Sequence, residues 1–248
     1  MKNPTSGASA SPKGRSHKAK TVAIIQARMG SFRLPGKVMM TLGNRPILTY
    51  LIDRISKARN IDDILVATTT HERDNVIIEE CTSRGIPTFR GSEDDVLGRY
   101  VGAAAASNAG IIVRVTADNP FTDPDSIDRV VDVIASGRAD YAIEMDMPVG
   151  TTGEAVTWNG LLLIDAVAKT DRWREHVTLY AKENPDALRC AFIASNPERG
   201  RPDLSFTVDE IEDYLFVRQL SETFTDTDFS LMELITVADE LAVRSRVS

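Results

Sequence analysis

The chain has 248 residues, of which 42% are hydrophobic and 26% are charged, a composition typical of a globular protein large enough to bury a core. Its formal net charge is −7, and the five charged side chains among residues 1–20 are all basic, so the remainder is more acidic still. This acidity excludes general nucleic-acid binding by the folded body, and the lack of a run of about 18 apolar residues excludes a membrane span.

Residues 1–20 are predicted to form a disordered basic arm, because they are rich in Ser, Gly, Pro and Lys and show no apolar periodicity. The alternative is a targeting or partner-binding tail, although the arm lacks the apolar stretch of a secretory signal. Residues 21–248 are predicted to form one domain. Cys81 and Cys190 stand alone without metal-ligand spacing, which indicates free thiols in a reducing cytosol and hence a cytoplasmic protein.

Short apolar runs predict strands at 22–25, 61–69, 87–89, 111–115, 155–158, 188–194 and 204–208. Helical periodicity predicts helices at 46–60, 75–84, 95–107, 124–135, 161–168, 175–182, 211–224 and 231–243. Asp74 is suited to cap the second of these helices, Gly85 to end it, and Asp123 followed by Pro124 to start the fourth. Strands that alternate with helices predict a mostly parallel sheet with helices on both faces, an α/β fold.

The first predicted strand leads into a loop that carries Arg28, Arg33 and Lys37 together with Gly30 and Gly36. A loop at the carboxyl end of a buried parallel strand is where open α/β sheets bind ligands. Three cations and backbone N–H groups suit a polyphosphate, and the alternative is a basic surface loop. The loop is not a P-loop, because the residue after the lysine is valine instead of serine or threonine.

Two carboxylates follow later predicted strands, Asp118 after 111–115 and Asp209 after 204–208. Mg²⁺ binds through one or two carboxylates plus substrate phosphates, so the pair predicts a metal site opposite the basic loop. The alternatives are a loop-stabilising role for Asp118 and, for Asp209, a helix cap with Glu212 three residues on. Hydroxyls that could bind a sugar or base follow two other strands, at 68–70 and at Ser92.

Five runs then carry a family resemblance: AIIQARMGSFRLPGK, FRGSEDDVLGRY, VRVTADNPFTDP, REHVT and FTVDEIED. Together they resemble the cytidylyltransferases of bacterial surface-sugar synthesis, above all the spore-coat polysaccharide type, which is related to the acylneuraminate and ketodeoxyoctonate cytidylyltransferases. The resemblance implies a Rossmann-like nucleotidyltransferase fold of the nucleotide-diphospho-sugar transferase type, and a homodimer. It also implies Mg²⁺-dependent transfer of CMP from CTP to an acidic sugar, with release of pyrophosphate.

The resemblance also assigns roles to residues. It implies nucleotide binding by Ala27, Arg28, Ser31, Arg33, Lys37, Thr68, Ser92 and Thr116. It implies that Asp118 and Asp209 bind the metal and, with Arg28 and Lys37, form the catalytic set. It implies acceptor binding by Glu154, Glu175 and His176. The chain departs from the family pattern at two places on the expected acceptor side, where Thr152 replaces an acid and Ser205 replaces an arginine.

Three alternatives remain open from the sequence. One is a glycosyltransferase of the same fold that consumes a nucleotide sugar and never releases pyrophosphate. Another is a cytidylyltransferase whose acceptor is a phosphonate. The last is a non-catalytic nucleotide-binding relative, against which the presence of Arg28, Lys37, Asp118 and Asp209 argues.

Overall fold

The structure is a computed structural model that describes residues 19–245. Its strands, in chain order, are β1 (Thr21–Gln26), β2 (Thr41–Leu42), β3 (Arg45–Pro46), β4 (Asp63–Thr69), β5 (Thr88–Gly91), β6 (Ile111–Thr116), β7 (Tyr141–Met145), β8 (Glu154–Thr157) and β9 (Cys190–Ala194). Its α-helices are α1 (Ile47–Ile55), α2 (Asn75–Ser83), α3 (Val96–Ser107), α4 (Pro124–Ala135), α5 (Trp158–Val167), α6 (Asp171–Glu175), α7 (Leu179–Glu183), α8 (Ile211–Ser221) and α9 (Leu231–Ser245). Short 3-10 turns lie at Lys37–Met39 and Glu72–Asp74.

Seven of these strands form one sheet in the order β5-β4-β1-β6-β8-β7-β9. All neighbouring pairs are parallel except those of β8, which runs antiparallel to both β6 and β7. The predicted mostly parallel α/β sheet is therefore confirmed. Because β1, β4 and β6 are parallel neighbours, the loops that follow them meet at one edge of the sheet.

The central strand β1 is covered on both faces. Ala23 and Ile25 pack in a cluster that includes residues of α1, α2 and α4. Val22 and Ile24 point to the opposite face and pack with residues of α3, α5 and α7. Alternation of side chains along a strand explains this split, and burial on both faces explains why the run is apolar throughout. A third cluster joins α8 and α9 to α1 and the β2–β3 hairpin.

Two helix starts follow from local capping. Asp123 accepts a hydrogen bond from the Ser126 N–H at 2.9 Å, and Pro124 occupies the first turn, as predicted. Asp95 likewise accepts from the Gly98 N–H at 2.8 Å and begins α3. A side-chain oxygen at this position satisfies one of the N–H groups that the first turn of a helix leaves unpaired.

The predicted strand at 204–208 is wrong. The segment forms only a single bridge, between Val149 and Ser205, and the Phe206 N–H donates to the Val149 carbonyl at 2.8 Å. Its apolar residues instead belong to the cluster that contains α8 and α9. Val149, its partner in the bridge, lies outside the strands of the sheet.

Two predicted helices are also shorter than expected. The helix predicted at 175–182 is replaced by α6 and α7, with a turn at 176–178 between them. The break coincides with Thr178, whose buried hydroxyl donates to the Glu154 carboxylate. The helix predicted at 46–60 ends at Ile55.

Residues 1–18, which are most of the predicted N-terminal arm, lie outside the described residues. Disorder of this part of the arm therefore stays a prediction. The prediction is wrong for Lys20, whose carbonyl accepts hydrogen bonds from the N–H groups of Gly110 and Ile111 at 2.8 and 3.0 Å. Within residues 19–245 no helix is both long enough and apolar enough to cross a membrane.

Candidate active site

A cleft of about 650 Å³ opens where β1 and β6 end. The loop after β1 forms one wall, and segments near residues 150, 175 and 208 form the others. Ten of the predicted site residues line it: Ala27, Arg28, Ser31, Arg33, Lys37, Thr116, Asp118, Glu175, His176 and Asp209. The sheet order thus brings together groups from both halves of the chain.

Lys37 lies at the centre of this cleft and is almost fully buried. Its Nζ is 2.7 Å from Oδ2 of Asp118, 3.0 Å from Oδ1 of Asp209 and 2.7 Å from the Val208 carbonyl oxygen. Gly36, just before it, adopts the left-handed conformation at φ +74°, which glycine adopts without steric strain. One ammonium group therefore contacts both predicted metal ligands.

Arg33 provides a second cation beside Asp209. Its Nη2 is 2.9 Å from Oδ2 of Asp209, and its Nη1 is 3.4 Å from Oε1 of Glu210. Burial alone would raise the pKa of Asp209, but the hydrogen bonds and charges of Lys37 and Arg33 outweigh it and hold that pKa below 3.8. Asp209 is therefore an anion at neutral pH.

The alternative role of Asp209 as a helix cap is wrong. Asp213, in the first turn of α8, accepts hydrogen bonds from the backbone N–H groups of Asp209 and Glu210 at 3.0 and 2.9 Å. The N-cap of α8 is thus Glu210, which forms a capping box with Asp213, and the Asp209 carboxylate is left to the cleft.

Arg28 lies on the other side of the cleft. Its Nη2 is 3.1 Å from Oε1 of Glu175, and its Nη1 donates to the Glu93 carbonyl at 3.3 Å. Both side chains are about one-third exposed, so the ion pair is accessible to a ligand. His176, the next residue, is exposed at the cleft rim.

Asp74 occupies the N-cap position of α2, as predicted, but its side chain makes no capping hydrogen bond to the helix and instead anchors the loop after β1. Its Oδ1 accepts from the Met29 N–H at 2.8 Å, and its Oδ2 accepts from the hydroxyls of Thr68 and Thr69. An aspartate before a helical pattern is typical of a cap, so the sequence carries no signal for this longer-range role. The loop position next to Arg28 is therefore held by a buried carboxylate.

Two predicted nucleotide-binding residues do not reach the cleft. Thr68 is fully buried, and its hydroxyl is used by Asp74. Ser92 is exposed outside the cleft lining, where its hydroxyl accepts from the Asp95 N–H at 3.1 Å. Both contribute to the framework of the loops that follow β4 and β5.

The predicted acceptor residue Glu154 is likewise not at the surface of the cleft. It is 6% exposed, accepts from Thr178 and Lys182, and lies 3.8 Å from Nη1 of Arg114. Burial alone would raise the pKa of Glu154, but the nearby cations lower it below its ordinary value. Glu154 is therefore a buried anion that positions cations, and it does not line the cleft.

The structure also adds residues that sequence reasoning missed. Arg99 from α3, Arg114 from β6 and Asn119 line the cleft. Both arginines stand within the family-like runs, yet neither was singled out. The available signal was the charge of Arg114 inside the apolar strand IIVRVT, because a buried arginine normally has a partner or a role.

The two departures from the family pattern lie away from the cleft surface. Thr152 and Ser205 are not among its lining residues, although their neighbours Gly150 and Thr207 are. Ser205 is exposed and Thr152 is half-buried. The acceptor side is therefore lined mainly by other residues than these two.

A metal fits this site only together with a substrate. Among residues 19–245, no three Asp, Glu, His or Cys side chains converge as a metal cage. Asp118 and Asp209 do converge on one point, which the Lys37 ammonium contacts. Two carboxylates suffice for Mg²⁺ when waters and substrate phosphates complete its coordination.

Comparisons with known proteins agree with this geometry. A family model described as "Cytidylyltransferase" matches residues 22–240. The spore coat polysaccharide biosynthesis protein SpsF of Bacillus subtilis is 38% identical over 221 residues, which cover 86% of this chain and 92% of that protein. A solved cytidylyltransferase of Leptospira borgpetersenii is 31% identical with a TM-score of 0.84, over 91% of this chain and 96% of its own.

A more distant structure shares the fold. The CMP:2-keto-3-deoxy-manno-octonic acid synthetase solved with CTP has a TM-score of 0.63 at 15% identity, over 83% of this chain and 99% of that one. The family model spans nearly all of the described residues, and the site carries the cations and carboxylates on which the resemblance was based. The chain belongs to the cytidylyltransferase family of nucleotidyltransferase enzymes.

Proposed function

We propose that this enzyme transfers CMP from CTP to an acidic sugar and releases pyrophosphate, with Mg²⁺, in the synthesis of a surface polysaccharide or a related glycan. The observation that carries the proposal is the convergence of Lys37, Arg28 and Arg33 with Asp118 and Asp209 in one cleft. Cations for phosphate oxygens and carboxylates for a metal are the two requirements of metal-assisted nucleotidyl transfer.

Each of the three loop cations is paired with a carboxylate of the chain: Arg28 with Glu175, Arg33 with Asp209, and Lys37 with both Asp118 and Asp209. A triphosphate offers these cations a higher negative charge and several oxygens at once. Binding of CTP would therefore exchange internal ion pairs for contacts with phosphate, and would free the two aspartates. The backbone N–H groups of the loop add further donors.

Asp118 and Asp209 would hold Mg²⁺, which supplies neutralisation of the phosphate charge. Lys37 and Arg33 would stabilise the charge that develops on the departing pyrophosphate. The side chains around the α-phosphorus would orient an acceptor oxygen for in-line attack, so no side-chain nucleophile is needed. Catalysis would rest on positioning and charge.

Two observations support an acidic sugar as the acceptor. The relative SpsF is named for spore coat polysaccharide synthesis, and the synthetase solved with CTP is named for a sugar acid. Arginine side chains also line the cleft beyond those of the loop. The homodimer and the cytoplasmic location implied by the resemblance stay predictions.

The test is a screen for pyrophosphate release, with four nucleoside triphosphates against a panel of sugar acids and phosphonates, each with and without Mg²⁺. We expect release only with CTP, a sugar acid and Mg²⁺ together. Release of a nucleoside mono- or diphosphate from a nucleotide sugar would instead indicate a glycosyltransferase. Tight CTP binding with no turnover on any acceptor would indicate a non-catalytic relative.

Asp118→Ala provides the matched variant. Loss of one metal ligand is expected to reduce turnover by about 100-fold or more. The control is Asp125→Ala, which removes an exposed carboxylate at the start of α4 and should leave the rate unchanged. Release of pyrophosphate by Asp118→Ala at the wild-type rate would refute the metal assignment.

A further inference from the structure

Two buried arginines in the cleft have no task in the mechanism described above. Arg99, on α3, is 2% exposed, and the Arg114 side chain, on β6, is 18% exposed. Both line the cleft. Arg114 alternates along β6 with Val113 and Val115, so it points to the sheet face that α3 covers. The two guanidinium groups therefore approach the cleft from the same side.

Arg114 shares its nearest carboxylate with a second cation. Arg114 stands opposite Glu154 in the register of β6 and β8, with 3.8 Å between Nη1 and Oε1. The same carboxylate also binds Lys182 and Thr178, so two cations share one anion. A buried cation that lacks its own counter-charge is costly unless a ligand provides one.

Arg99 is still less compensated. Within the described residues it forms no ion pair, and its hydrogen bonds go to the backbone carbonyls of Ser92 and Glu93. The nearby carboxylate of Glu175 is bonded to Arg28. Burial lowers the pKa of Arg99 below its ordinary value, which reflects the cost of keeping this charge away from water.

Three buried polar atoms in this part of the cleft also lack a protein partner. Among the described residues, nothing accepts a hydrogen bond from Nε of Arg99 or Nε of Arg114, and nothing donates to Oε1 of Gln26. All three residues line the cleft. Buried polar atoms are normally paired, so these unpaired atoms add to the cost of holding the two arginines in the wall of the cleft.

We infer that Arg99 and Arg114 bind the carboxylate of the acceptor. The inference rests on the proposed function and names the residues that select an acidic sugar. Two guanidinium groups offer several charged N–H donors to the carboxylate, the group that distinguishes a sugar acid from a neutral sugar. The phosphates are served by a separate set of cations on the loop after β1.

This arrangement gives a basis for specificity. A neutral sugar would leave two buried guanidinium groups without a counter-charge. The site would therefore bind the acid more tightly and would also penalise the neutral sugar. Glu154 would act as a positioning residue, since it holds Arg114 but does not reach the cleft. The three cations of the loop would not contribute to this selection.

The experiment is calorimetric binding of 3-deoxy-manno-octulosonate and N-acetylneuraminate, each compared with its carboxyl-reduced neutral analogue. Binding is measured in the presence of Mg²⁺ and α,β-methylene CTP, which prevents turnover. At least one acid is expected to bind the wild-type protein roughly 10- to 100-fold more tightly than its neutral analogue, as for a charged hydrogen bond. Arg114→Met and Arg99→Met should lose this preference with little change in the affinity for α,β-methylene CTP.

Arg84→Met is the matched control, because Arg84 is an arginine on the far side of α2 that pairs with Glu80 and Asp53. It should bind both ligands like the wild type. Thermal unfolding shows whether each variant is folded. If a variant does not fold, the comparison of the acid with its neutral analogue on the wild-type protein still tests the inference.

Three results would overturn the inference. The acid and its neutral analogue could bind the wild type equally, or neither acid could bind at all. The variants could weaken the nucleotide as much as the acid, which would place the arginines in the nucleotide site. They could also leave both affinities unchanged, which would make the arginines structural. A protein that binds the acid through these arginines but never releases pyrophosphate would instead refute the proposed function alone.

Discussion

Replacement of Lys37 by methionine removes the ammonium group that contacts both Asp118 and Asp209. Exposed ion pairs contribute up to about 1 kcal/mol, whereas loss of one partner from a buried pair costs about 3–5 kcal/mol. Lys37 is buried, but the side chains of Asp118 and Asp209 are 26% and 34% exposed and gain water when the lysine is lost. We therefore expect the free energy of unfolding to fall by about 2 kcal/mol, between these limits.

In a chain of this size, that loss corresponds to a decrease in Tm of about 4–8 °C. The same substitution leaves two carboxylates facing one another, which makes the variant a divalent-cation site in the absence of nucleotide. Magnesium chloride should then stabilise Lys37→Met, by about 1.4 kcal/mol at a concentration ten times its Kd. The wild type should respond much less, because its own ammonium group already contacts both carboxylates.

The assay is thermal unfolding of both proteins, without nucleotide, across a titration of magnesium chloride. The control is Lys57→Met, since the Lys57 ammonium is exposed and lies 3.8 Å from Asp228. It should change neither Tm nor the response to Mg²⁺. The reasoning is refuted if Mg²⁺ stabilises the wild type as much as Lys37→Met, or if Lys37→Met unfolds at the wild-type temperature.

Three further variants test other parts of the structure. Glu175→Gln should free Arg28 for phosphate and lower the Kd for CTP about 2- to 5-fold by calorimetry, the range of a partly exposed ion pair; weaker binding would contradict this. Arg54→Met removes a fully buried guanidinium that binds three backbone carbonyls, so denaturant unfolding should show that the free energy of unfolding falls by about 3–5 kcal/mol. The control is the exposed Arg84→Met, for which the free energy of unfolding should fall by less than about 0.5 kcal/mol. Glu154 has a lowered folded-state pKa, so its stabilisation is present above its unfolded value of 4.5 and is lost as pH falls through the folded value. Glu154→Gln should therefore flatten the acid limb of stability against pH, and an unchanged slope would show that the carboxylate is not held as an anion.

Several elements could be predicted because their determinants are local. The apolar run of β1, the helices with a capped start and the alternation of strands with helices all follow from hydrophobic periodicity and nearby turn residues. Asp123 caps α4 through an N–H three residues away. The loop after β1 could be predicted as a ligand site for the same reason, since its cations and glycines are contiguous.

The errors concern residues whose partners are distant in the chain. Asp74 has the local context of a cap, yet it bonds to Met29, 45 positions earlier. The segment at 204–208 has the pattern of a strand, but it pairs only through one bridge to Val149, and its apolar residues pack with α8 and α9. Glu154 matches a family position on the acceptor side, but its place on β8 opposite Arg114 buries it.

The amino-acid sequence by itself determined the α/β class, the cationic character of the first loop and membership in a cytidylyltransferase-like family. Only the tertiary structure decided which charges meet. Lys37 contacts Asp118 and Asp209 across separations of 81 and 172 positions, and those contacts depend on the order of strands in the sheet. The buried pair of Arg99 and Arg114 was likewise decided there, because the burial of a charge is a property of the packed elements around it and not of its neighbours in the chain.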